Sequence, residues 1–343
     1  MLTLRGTFAA AGVRPSAAGV SFPNGLETTW HLGGLISVRQ NLERMLFDPK
    51  IGSWAVSDEH PVSDRVWTEH CQGVACDGSF WYISHDNGGE DRGIHKFEVE
   101  DIRFERERAS FRPGSSLGTH LGDIDVGMYK GRECLFAAYE ETPKNIGQIV
   151  VLDRDLKVEE VAYLKAEDGV CPPPTGPKAP WCAYNYGNGL LYTSSDLGID
   201  CLHAFDPERD FRHVPSESIQ LDRFIGRKTL TTWGSATEGL PDILKVDGKN
   251  SVQGAAFNLS GQVFISQALT PEILAFSTYT GALLGSIPFE MHPDLGDVAE
   301  GLCWAPLLID GVPCGLHFVL LDWDIGAGKD DIFLKHVATG SVP

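Results

Sequence analysis

Apolar residues along the chain fall into short runs with two-residue alternation, separated by tight polar turns. Gln72-Gly73-Val74-Ala75-Cys76, the Asp77-Gly78 turn and Phe80-Trp81-Tyr82-Ile83-Ser84 set the pattern. It returns as Gln253-Gly254-Ala255-Ala256-Phe257, Leu259-Ser260-Gly261 and Val263-Phe264-Ile265-Ser266. Both copies continue into a third run, Ile94-His95-Lys96-Phe97 and Ile273-Leu274-Ala275-Phe276. Apolar runs of this length, punctuated by Gly, Asp and Ser, predict strands joined as a meander.

Three more segments follow the same grammar. One runs through Gly122-Asp123-Ile124-Asp125-Val126, Cys134 to Ala138 and Gln148 to Asp153, and another through Cys182-Ala183-Tyr184, Leu190 to Ser194 and Cys201 to Asp206. The last runs from Glu300-Gly301-Leu302-Cys303-Trp304 through Gly315 to Leu321 and ends at Ile332-Phe333-Leu334. Repeats spaced roughly 50 to 70 residues apart match propeller blades with long loops. A blade cannot bury both faces alone, so the expectation is all-β: a single β-propeller of five blades, with room for a sixth. An irregular β-sandwich is the alternative. The segments Leu26 to Thr68 and Asp206 to Lys249 stay unassigned, and either could supply a sixth blade or an N-terminal strand that completes the last sheet. Residues 1–25 read as a loose tail and 26–343 as the propeller. Helical periodicity is confined to Val38 to Phe47.

Composition supports a folded chain. Of the 343 residues 42% are hydrophobic and 22% charged, which is enough to bury a large core. The net charge of −19 repels phosphate backbones and anionic lipid, so nucleic acid and membrane are not expected partners. No apolar run approaches the roughly 20 residues needed to span a bilayer. The N-terminus lacks the continuous apolar stretch of a secretory signal, and a transit peptide is the minor alternative to a cytoplasmic chain. The eight cysteines form no CxxC pair, which argues against structural zinc; Cys171 and Cys182 would be the pair to bridge in an oxidising compartment. No P-loop, G-x-G-x-x-G or G-x-S-x-G element is present, so no nucleotide cofactor is expected.

In a propeller the first strand of each blade lines the axis, and residues at its start face the funnel where ligands bind. Those positions are His70 and Gln72, His120 and Asp123, Trp181 and Asn185, Gln253, and Glu300. Two imidazoles at equivalent places beside a carboxylate suit a divalent metal, so His70, His120 and Asp123 are the candidate ligands. Zinc or another transition ion, or calcium, would fit such a set. Glu300 and Asp123 are the candidate catalytic acids, with Asp125 one alternation deeper on the same side. Trp181, Gln72, Gln253, Asn185 and Tyr184 would contact the substrate. The expected activity is metal-assisted hydrolysis, elimination or cyclisation of a small molecule. The alternative is a non-catalytic propeller that binds a peptide, glycan or protein partner on its top face. An equally simple reading makes these polar residues strand caps around a water-filled channel.

The order of the units over Gln72 to Leu334 resembles the plant-type glutaminyl cyclases, five-bladed propellers whose blades open with Gln-Gly, Glu-Gly or Asn-Gly. Gln72-Gly73 and Glu300-Gly301 carry that resemblance. That family has a Glu before Ser-Thr-Gly in the second strand of its first blade, whereas this chain reads Tyr82-Ile83-Ser84-His85-Asp86. The chain is also similar to the calcium-dependent lactonase and gluconolactonase propellers, which are six-bladed and hold a funnel metal with Glu, Asn and Asp. That resemblance would give Glu300, Asn185 and Asp123 those parts, and His70 and His120 depart from it.

Overall fold

A computed structural model describes residues 70–86, 92–99, 109–111, 117–140, 146–164, 178–195, 198–226, 251–290, 297–309, 312–323 and 330–338, with two-residue strands at Val20–Ser21, Glu27–Thr28 and Ser53–Trp54. The chain is a five-bladed β-propeller. Every blade is an antiparallel meander. The innermost strands are Cys71–Cys76, His120–Tyr129, Ala183–Asn185, Val252–Phe257 and Val298–Ile309, which define blades 1 to 5 in chain order. All five repeats read from the sequence are blades. Parts of the two unassigned segments are placed as well, and the rest lies outside the described residues. Arg212–His213 and Ile219–Ile225 lie outermost in blade 3, and Ser53–Trp54 is the outer strand of blade 5, paired with His336 and Val337. The ring is therefore closed by a sheet that joins distant parts of the chain: Ser53–Trp54 completes the blade that starts at Val298. Val20–Ser21 and Glu27–Thr28 form a separate ladder of their own.

Strand alternation explains why the blades pack as a ring. Along Gln148–Leu152, Val150 and Leu152 join a cluster with Val126 and Tyr82 of blade 1, while Ile149 and Val151 join one with Leu191 and Phe205 of blade 3. Successive side chains point to opposite faces of a strand, and both faces are covered by a neighbour. Each of the five interfaces has its own apolar cluster, and the one between blades 5 and 1 holds Trp81, Phe97, Val319 and Ile332. Apolar burial, at roughly 25 cal/mol per Å², is what holds the ring shut. The turns match the sequence: Gly78 and Gly261 take positive φ (86° and 83°), open to glycine without strain.

A polar clasp adds to the interface between blades 1 and 2. Asp77 is buried in the first turn of blade 1, where one carboxylate oxygen accepts the N–H groups of Ser79 and Phe80. The other accepts from the Tyr82 hydroxyl at 2.9 Å and from the Arg154 guanidinium of blade 2 at 2.6 Å.

Candidate functional site

The innermost strands all start on one face, here the entrance face, and end on the other, the exit face. Near their starts four of them carry a β-bulge against the second strand. Register shifts lie between Cys71 and Gly73, Leu121 and Ile124, Val252 and Gly254, and Ala299 and Leu302. A bulge adds one residue and re-aims the side chains beside it. Gln72, Gln253 and Glu300 thus occupy equivalent places on three consecutive blades, each followed by glycine. Where these blades have Gly73, Gly254 and Gly301, blade 2 has Asp123.

That substitution closes the axis. Asp123 is fully buried, and a Cβ placed on Gly73, Gly254 or Gly301 would overlap its carboxylate. One oxygen accepts from the N–H of Val74 in blade 1 (3.2 Å) and of Ile124 (2.9 Å), and the other from Leu302 in blade 5 (3.3 Å). On the remaining side its own N–H donates to Pro180 in blade 3 at 3.1 Å. The side chain therefore touches or bonds the central strands of blades 1, 4 and 5, three glycines make room for it, and the backbone of the same residue ties in blade 3. Burial, followed by the nearby Asp125, pushes the Asp123 carboxyl well above the usual range, while the amide bonds pull the other way.

Asp125 lies on the same side of the strand and is also buried. Its two oxygens accept from Val126 N (2.8 Å) and from Tyr184 N of blade 3 (2.7 Å), and burial pushes its pKa up to about 7. Second-strand hydroxyls reinforce the hub: Ser84 donates to the Gly122 carbonyl and Ser266 to that of Glu300, both at 2.8 Å, and Thr193 donates to that of Trp181.

Above this plug sits Glu300. It is only 4% exposed, its Oε2 has no hydrogen-bond partner among the described residues, and burial alone pushes its carboxyl well above the usual range. Gln72 and Gln253, half-buried, flank it on the adjoining blades. Burial favours the neutral form of such a carboxyl, and its open oxygen is free to give or take a proton. The nearest thiols do not compete as nucleophiles, since burial pushes Cys71 and Cys182 well above their usual range.

Several expected site residues lie elsewhere. Trp181, two residues before the innermost strand of blade 3, is fully buried in the cluster between blades 3 and 4. Tyr184 stacks on Phe136 at 5.7 Å and packs against Gly127 in the interface between blades 2 and 3. Asn185 ends its strand on the exit face, where its side chain accepts from Gly187 N at 2.8 Å and shapes a turn. The metal set is not assembled either. His120 bonds the Glu140 carboxylate at 3.0 Å, His70 is half-buried just before the first strand, and both Asp123 oxygens are engaged by amides. Among the described residues no group of three or more His, Cys, Asp or Glu converges as a metal site. Cys182 is a free thiol, and Cys171 lies outside the described residues.

Other features were not anticipated from the sequence. His317 and His336 of blade 5 share a hydrogen bond between their Nδ1 atoms, His317 Nε2 donates to the Ala305 carbonyl at 2.8 Å, and Trp81 of blade 1 packs on both rings. Neutral rings fit this buried pair: burial lowers His317 to about 4, and burial with His317 lowers His336 to about 3.

No family model matches the chain, and no curated protein does. Solved structures match it at low identity. A tail fibre of Staphylococcus aureus phage P68 is 11% identical, with TM-score 0.53, over 89% of this chain and 57% of that one. Myxococcus xanthus glutaminyl cyclase is 13% identical, with TM-score 0.45, over 79% and 93%. The propeller domain of Myceliophteria thermophila Cps50 (Swd1) is also 13% identical, with TM-score 0.36, over 77% and 83%. The likeness is one of fold.

Proposed function

We propose that the protein processes a small molecule at the blind end of its entrance face, with Glu300 as the proton-transferring group. The observation that carries this reading is the buried Glu300 carboxyl with an open oxygen, its pKa raised by burial, set between Gln72 and Gln253 and above the Asp123 plug. A carboxyl with a raised pKa matches the work of a general acid, and amide side chains on either side can orient a polar substrate. Hydrolysis, elimination or cyclisation each need one such transfer. No step is routed through a metal, because the three candidate ligands do not converge. Asp123 holds the hub together and takes no part in proton transfer.

The closed axis favours a second reading, a non-catalytic propeller that binds a peptide, glycan or protein partner on the same face. One experiment separates the two. Purified protein is incubated with lactones, esters, and amides or amines able to cyclise, and products are read by mass spectrometry. The enzymatic reading expects turnover that falls about 100-fold or more in Glu300→Gln, the size of a lost general acid. Turnover unchanged in Glu300→Gln would overturn the role of Glu300, and no turnover on any class would leave the binding reading. No described helix is long and apolar enough to cross a membrane.

A further inference from the structure

A half-buried pair of soft donors lies in blade 3, away from the chemistry of the entrance face. Cys201 and His203 are two residues apart on Ile199–Asp206, so both side chains point to one face of that strand. The strand is held from both edges. His203 pairs with Thr193 of the second strand, and Cys201 with Gln220 of Ile219–Ile225. Cys201 Sγ stands 3.9 Å from His203 Nδ1. His213, opposite Phe205 on the neighbouring strand, lies diagonal to His203, with ring centroids 5.4 Å apart and planes at 60°. The Ser218 hydroxyl, 3.3 Å from His213 Nε2, steadies that second ring. Among the described cysteines Cys201 alone is partly exposed, and the others are buried.

We propose that Cys201 and His203 bind one soft monovalent metal ion, Cu(I), through Sγ and Nδ1. Metal bonds run to about 2.3 Å for sulfur and about 2.0 Å for nitrogen, which sets two donors on one ion about 3.5 Å apart at a tetrahedral angle and about 4.3 Å apart in a line. The 3.9 Å found here falls between these limits, at a bond angle of about 130°. The two donors therefore already stand at the separation of a shared ion. Thiolate selects Cu(I), imidazole suits copper, and an ion with a filled d shell and a single charge is satisfied by few ligands.

Protonation and charge favour the same ion. Burial, followed by Asp200, pushes the Cys201 thiol up to about 11, and burial, followed by His213, lowers His203 to about 4 while Asp200 pulls the other way. At neutral pH the imidazole is uncharged and offers a ring nitrogen, and the thiol keeps its proton until an ion replaces it. On binding, the S–H bond breaks, the Sγ–Cu bond forms and the proton leaves to solvent. Thiolate and Cu(I) cancel, so the half-buried site gains no net charge. Zn(II) would leave one positive charge there and calls for four ligands, whereas no three His, Cys, Asp or Glu converge among the described residues.

The test is anaerobic titration of the full-length protein with Cu(I) supplied as its bicinchoninate complex, read by loss of the chelator's colour. Wild type is compared with Cys201→Ser and His203→Gln, and thermal melts check that each variant keeps the ring. The other thiols are common to all three proteins, so the difference between them reports this site. The expected result is one equivalent bound by wild type with one proton released, and an affinity lower by about 100-fold or more in either variant, since losing a partner behind a ligand already costs about 10–100-fold. Equal uptake by all three proteins would overturn the inference. So would loss in Cys201→Ser with full retention in His203→Gln, which would mean a thiol acting alone, and so would displacement of Cu(I) by equimolar Zn(II). Copper X-ray absorption on the wild type needs no variant: one sulfur and one imidazole nitrogen around the ion are expected, and two or more sulfurs would overturn the assignment.

Discussion

Replacing Asp123 by Asn turns one carboxyl oxygen into an amide nitrogen and leaves the shape of the side chain almost unchanged. The amide oxygen can keep the N–H bonds from Val74 and Ile124. The amide nitrogen then faces the N–H of Leu302, two donors where the wild type has a donor and an acceptor. A buried N–H left without a partner costs about 1–3 kcal/mol. Asp123→Ala also strands the Val74 N–H and opens space at the axis, so about 2–6 kcal/mol is expected from the two inter-blade donors. For a chain of this size 1 kcal/mol moves the melting point by about 1–2 °C. Calorimetric melts should therefore fall by a few degrees for Asn and by roughly twice that for Ala. An Asp123→Asn protein that melts within a degree of wild type, or higher, would refute the reasoning. That outcome would return Asp123 to the list of catalytic acids.

Gly254→Ala should destabilise by about 1–3 kcal/mol, because its Cβ meets Asp123 and the backbone of Gly301 and Leu302; an unchanged melt would show a looser axis. Asp125 has a folded pKa raised to about 7 against about 3.9 unfolded, so its contribution is complete below pH 4 and is lost as pH rises through 7. Asp125→Asn should flatten that part of the stability profile measured by urea unfolding between pH 4 and 8. The His317–His336 pair acts with the opposite sign: folded values of about 4 and 3 against about 6.5 unfolded mean stability present above pH 6.5 and lost on acidification. A His317→Leu/His336→Leu double variant should unfold at lower pH than wild type relative to its own neutral stability, and a parallel acid profile would contradict this. Asp77→Ala should cost more than Arg154→Ala in melts, since Asp77 also holds two turn amides and Tyr82, whereas Arg154 is 45% exposed.

The blades were legible because their inner three strands are buried on both faces. Gln148–Leu152, buried throughout, reads as an unbroken apolar run. Outer strands carry no such signal. Val158–Tyr163 is mostly exposed, with Glu159 and Glu160 in its middle, and looks like a polar loop in the sequence. The closing strand Ser53–Trp54 pairs with residues nearly three hundred positions away, which local periodicity cannot reveal. At the axis the repeat placed Gln72, Gln253 and Glu300 in register, but strand alternation alone misjudged the residues beside the bulges. A bulge shifts the alternation by one, and this is why Asp123 fills the channel when it was expected to line it. Trp181 and Tyr184 were assigned to a ligand from their place in the repeat, and the neighbouring blade takes them instead. The one signal for the plug was the glycine pattern: three Gly positions in the repeat opposite one Asp.

The proposed role requires the buried Glu300 carboxyl to hold its proton at neutral pH. Infrared difference spectra between wild type and Glu300→Gln, recorded from acid to alkaline pH, report the protonated carboxyl C=O stretch of this one residue. The predicted result is a band present at pH 7 and lost only well above the usual carboxylate range. A band that disappears between pH 4 and 5, as for an ordinary exposed glutamate, would contradict the claim.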